Sequence, residues 1–192
     1  MRQPSYHLRS EAEYFHELDS ELIDGMRHQA ALHERRLRLA EAAHVHHAAA
    51  LDTLERLGYD TSTAQLLFVI PLLQVAWADG SVSPLEREHI LTIASLRGVE
   101  VGSPAYGRLL EWLDRQPPKE FFETALSAIE AVLSASSVTE RKACQEAVLL
   151  CCRDTAATPC HTFGWLSRVC AAKRNVIEQI RQRLELKQQA PG

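Results

Sequence analysis

From residue 10 to residue 57 the chain has no proline, and apolar or small side chains return every three or four residues. The series is Phe15, Leu18, Leu22, Met26 and Ala30, then Leu37, Ala40, Leu51 and Leu54. That spacing marks one stripe of a helix. Unbroken, such a helix would run about 70 Å at 1.5 Å per residue. A compact chain of this length has a radius of gyration of about 16 Å. The segment must therefore break, near Gly25 or between His28 and His33, or leave the body as an arm. An arm with an apolar stripe needs a partner, most simply a second copy of itself.

Helical spacing continues through the rest of the chain. Two-residue alternation with β-branched side chains never persists. Residues 58–62 read as a linker, and a helix is expected over 63–78 with a kink at Pro71. Ser83-Pro84-Leu85-Glu86 is a helix start: serine caps, proline suits the first turn, and Glu86 reaches back to the cap amide. That helix should end at Gly98. Further helices are expected over 103–116, from Pro117-Pro118 to 134, from the capping box Ser137-Val138-Thr139-Glu140 to 155, and over 163–187. The expected fold class is all-α, a helical bundle over residues 61–192 with an N-terminal helical arm or hairpin over 1–60.

The chain has 192 residues, 46% hydrophobic and 24% charged, which suits a folded globular protein. Its net charge is −4, so no strongly basic field calls for nucleic acid. The five cysteines are odd in number and confined to the last quarter, which favours reduced, buried thiols over a secreted disulfide framework. With no secretory pattern at residues 1–13 and no apolar run long enough to span a bilayer, the expected location is the cytoplasm. The last helix carries Lys173, Arg174, Arg181, Arg183 and Lys187 beside the apolar Val169, Val176, Ile180 and Leu184. A basic amphipathic helix suits an anionic membrane surface, but Glu178 and Glu185 dilute its charge, so a solvated face is expected.

The stretch Val75-Ala76-Trp77-Ala78-Asp79-Gly80-Ser81-Val82-Ser83-Pro84-Leu85-Glu86 resembles the signature of TerB-like domains, the tellurite-resistance TerB family. That signature is an apolar helix, an Ala-Asp-Gly turn and a glutamate early in the next helix. The resemblance is specific over residues 66–99 and follows the helix order to about residue 157. It implies an all-helical bundle, a bacterial stress-response or membrane-associated complex, and divalent-metal binding through Asp79 and Glu86. Both residues also have a local role without metal. Asp-Gly favours a tight turn, and Glu86 closes a capping box. The second turn, Ser134-Ala135-Ser136-Ser137-Val138, hints at a repeat but lacks Asp-Gly.

Nine histidines are many for this length, and His28, His33, His44, His46 and His47 fall close together. The series His33, Leu37, Ala40, His44, His47, Leu51, Leu54 puts imidazoles in the apolar seam, either as neutral, partly buried side chains or as a pH-responsive contact. His44 and His47 are one turn apart and could share an ion with Glu41. Glu-x-x-His occurs at Glu13/His16, Glu41/His44 and Glu86/His89, the spacing that four-helix di-metal carboxylate oxidases use, with Glu17, Glu21 or Glu130 as further ligands. No nucleophile motif or Gly-rich phosphate loop is present, and no small-molecule substrate is identified. The leading expectation is a non-catalytic binding or scaffold module of a stress-response system, responsive to a divalent metal. The alternatives are a di-metal oxidase-type enzyme and a structural homodimer joined through the N-terminal helix.

Overall fold

The computed structural model describes residues 6–43, 45, 47–157 and 166–185, with side chains from residue 14 onward except 17 and 166–170. All regular elements among them are helical, as the spacing predicts. In chain order they are α1 (Tyr6–Ala43), α2 (Ala48–Arg56), α3 (Thr61–Gln65), α4 (Ile70–Ala76), a 3-10 turn (Trp77–Asp79), α5 (Pro84–Leu96), α6 (Pro104–Asp114), α7 (Lys119–Ala135), α8 (Val138–Ala157) and α9 (Leu166–Glu185). No described helix is long and apolar enough to cross a membrane.

The chain divides into two units, Met1–Arg38 and Leu39–Gly192. The boundary expected near residue 60 thus falls earlier. The reason is visible in burial: Leu39, Ala43, Val45, Ala50, Leu51 and Leu54 all belong to the core of the second unit. There α2 packs against α7.

In the first unit, α1 is continuous through Gly25 and through residues 28–33, so of the two expected outcomes the break does not occur. One helical glycine costs only about 1 kcal/mol relative to alanine, too little to interrupt a helix this long. The chain departs from helix only after Ala43, and α2 restarts at Ala48 with His47 as its extended N-cap residue. The histidine series 33–47 therefore does not form one face of a single helix. His44 lies outside the described residues, as do the expected start of the last helix and Trp165.

In the second unit, α4 is the innermost element. Ile70, Pro71, Leu72, Leu73, Val75 and Ala76 are all buried, and the helix packs against α7, α8 and α9. A helix apolar on every side belongs inside. Pro71 sits in its first turn rather than kinking a longer helix, because a missing N–H there leaves no helical bond unmade. The segment expected as one helix over 63–78 is accordingly α3, a turn, α4 and the 3-10 turn. The α5 start forms as predicted, and Gly98 follows its end at φ +85°, a left-handed position that favours glycine. Trp77 and Trp112 are half-buried, and Trp77 Nε1 donates to the Trp112 carbonyl at 2.9 Å.

A Cβ added at Gly25 meets nothing within 4 Å. Gly25→Ala should therefore raise the stability of α1 by about 0.5–1 kcal/mol. Far-UV circular dichroism should show unchanged or greater helicity, and a loss would restore the expected break at this position.

Candidate functional site

The corner between α4 and α5 is built from local rules. Gly80 adopts φ +92°, which closes the turn after the 3-10 segment. Asp79 Oδ1 accepts the Ser81 amide at 3.3 Å. At the start of α5, Glu86 Oε2 accepts the Ser83 amide at 2.9 Å and the Ser83 hydroxyl at 2.7 Å. The Glu86 amide in turn donates to Ser83 Oγ at 3.3 Å. Each carboxylate thus spends one oxygen on the local backbone and keeps the other for a partner.

That partner is Lys173, from α9. Its ammonium Nζ donates to Glu86 Oε1 at 2.6 Å and lies 3.1 Å from Asp79 Oδ2. Lys173 and Glu86 are each only 1% exposed. The arrangement encloses one cation between two anions in a nearly dry interior. Burial alone works against the charged ammonium, but hydrogen bonds and attraction from Glu86 and Asp79 outweigh it, so the Lys173 pKa is raised.

The expected metal role of Asp79 and Glu86 does not fit this donor set. The two oxygens left for a ligand face a lysine ammonium, which supplies the positive charge that an ion would bring. A hard divalent cation also needs about six or more oxygen ligands. The other nominated ligands are dispersed. Glu41 and His47 are exposed at the end of α1 and the start of α2, and His44 lies outside the described residues. His16 is exposed, and Glu130 accepts from Arg183 Nε at 2.6 Å. His89 Nε2 is buried without a hydrogen-bond partner among the described residues, while Glu86 one turn earlier is held by Lys173. Among the described residues no group of three or more His, Cys, Asp or Glu is placed to hold a metal ion.

Lys173, Arg181 and Arg183 of α9 are drawn inward or paired. Arg183 reaches α7, where Glu130, Ser127 and Glu123 accept its guanidinium. Arg181 pairs along its own helix with Glu178 and Glu185 at 2.5 Å each. Gln145 of α8 donates to the Leu184 carbonyl at 2.6 Å. The expected solvated basic face is therefore reduced: Lys173 is core, and Arg183 is a clamp.

The second capping box repeats the first in detail. Glu140 Oε2 accepts the Ser137 amide at 3.0 Å and the hydroxyl at 2.7 Å, and the Glu140 amide donates to Ser137 Oγ at 3.3 Å. Yet Glu140 is exposed where Glu86 is buried. The cap alone thus accounts for Ser-x-x-Glu, and the buried lysine is what sets the first corner apart.

Sequence reasoning placed Lys173 on a polar face. A signal was present: the apolar phase Val169, Val176, Ile180, Leu184 passes through position 173. A lysine in that phase must find a buried anion. The described cysteines conform more simply, while Cys160 and the Cys170 side chain lie outside the described residues. Cys144 and Cys151 are half-buried and Cys152 is buried, all free, and burial pushes the Cys152 thiol up to about 12. Comparison with protein-family models, with curated proteins and with solved structures yields no match.

Removing one member of a buried ion group leaves the others uncompensated and costs about 3–5 kcal/mol. Lys173→Met should lower the melting temperature by about 6–20 °C, and Glu86→Gln should act in the same direction. The raised lysine pKa adds a pH signature. Its contribution is complete below the unfolded-lysine value of about 10.4 and is lost as pH climbs through the higher folded value. Melting curves should therefore show the gap between wild type and Lys173→Met narrowing in strong alkali, and a gap independent of pH would contradict a charge-based role.

Proposed function

We propose that this chain is a non-catalytic binding or scaffold module. Its body is a helical bundle locked by buried ion pairs, and its recognition element is α1. The observation that carries this reading is the exposure of large apolar side chains along one helix: Phe15, Leu18, Leu22, Met26 and Leu37. An amphipathic helix with a bare apolar face is a surface that another protein covers.

The corner supports the same reading from the other side. Its two carboxylates already hold an enclosed ammonium, an arrangement that fastens α9 to the start of α5. Such a group fixes helices, whereas proton exchange with a substrate requires access to the reacting atoms. The TerB-like motif over residues 75–86 is the ground for assigning the module to a bacterial stress-response system of the tellurite-resistance type.

The test is size in extracts of the cells that make the protein. Wild type should elute from gel filtration in a species larger than its 21.5 kDa chain. Leu18→Glu/Leu22→Glu/Met26→Glu should elute as the monomer with an unchanged bundle melting temperature. A wild-type chain that elutes as a monomer, or a variant that stays in the larger species, would remove α1 as the recognition element.

A further inference from the structure

The face of α1 has a period and a polarity that together specify an occupant. Phe15, Met26 and Leu37 are eleven residues apart, with Leu18, Leu22, Ala30 and His33 filling the intervals. An eleven-residue repeat gives about 3.67 residues per turn, which keeps the stripe on one side of a nearly straight helix. All of these residues except the small Ala30 are long or ring-bearing, and all are exposed on α1.

Charge along the same helix is segregated. Residues 10–24 include Asp19, Glu21 and Asp24 and contain no lysine or arginine. Residues 25–38 include Arg27, Arg35, Arg36 and Arg38, against the single acid Glu34. The pairs Arg27–Asp24 and Arg38–Glu34 along the helix are solvent-exposed and so hold these charges only loosely. Two copies laid parallel would set acid against acid and base against base. Two copies laid antiparallel set the acidic half of each against the basic half of the other, and oppose their helix dipoles.

From this apolar period and charge order we infer that α1 pairs antiparallel with α1 of a second copy, with the two-fold axis near Met26. The inference rests on the reading of α1 as the recognition element and names its occupant. About this axis Leu22 lies level with Ala30 of the other copy, and Phe15 lies level with Leu37. The contact is isologous, so it closes as a dimer and does not propagate. Residues far from the axis are far from their own copies: two Phe15 side chains stand about 33 Å apart along the helices at 1.5 Å per residue.

Sedimentation equilibrium of the purified full-length chain should give about twice 21.5 kDa. The triple variant Leu18→Glu/Leu22→Glu/Met26→Glu should raise the dissociation constant about a hundredfold or more. Orientation is read by oxidation and peptide mass spectrometry, which separates the new thiols from the native ones. A disulfide needs Cα atoms within about 7 Å. Met26→Cys should link to itself, Phe15→Cys should not, and Phe15→Cys mixed with Leu37→Cys should link to each other. Self-linkage of Phe15→Cys would mean a parallel pair and overturn the inference. A monomeric purified wild type would also overturn it, yet would leave the binding-module reading standing if the cell extract still shows a larger species that depends on α1.

Discussion

The second unit depends on how one buried positive charge is satisfied. Lys173 is only 1% exposed, and the acids that face it come from two steps in the chain, Asp79 at the 3-10 turn and Glu86 at the start of α5. Taking an ammonium out of water is expensive, and only close, well-directed anions offset the cost. The corner must therefore form in one geometry. The local rules of the turn and the cap suit it, because they hold one oxygen of each carboxylate and leave the other for the lysine. This gives α9 a defined register along the core rather than a generic apolar contact.

From that anchor the rest of α9 acts as a closing element. Ile180 and Leu184 are buried in the core, Arg183 grips α7, and Gln145 of α8 holds the Leu184 carbonyl. Apolar burial supplies most of the drive for such packing but is indifferent to small slips. The polar contacts at Lys173 and near the C-terminal end of α9 are not indifferent, since a slip would leave a buried donor or charge without its partner. The same logic separates the two capping boxes. Both obey the same local chemistry, and only the one beside an Asp-Gly turn and a core lysine is drawn into the interior.

The first unit follows a different rule. Among its described residues the large apolar side chains of the stripe, from Phe15 to Leu37, are exposed.

Much of this was legible in the sequence. Spacing, Ser-Pro starts and glycine stops determine the helical class, the α5 through α8 order and the corner at residues 79–86, because capping and periodicity act within a few residues. Helix interruption was not legible in the same way. Gly25 and Pro71 look like breakpoints locally, yet the length of the helix overrides the first, and the second begins a helix. The corner's partner was beyond local rules altogether. Asp79 and Glu86 can be read as a turn and a cap from neighbouring residues. That they enclose Lys173, 87 residues beyond Glu86, was decided only when α9 packed against α4 and buried its lysine beside them. Periodicity tells a residue which side of its helix it occupies, whereas the identity of what lies opposite is set by the assembled core.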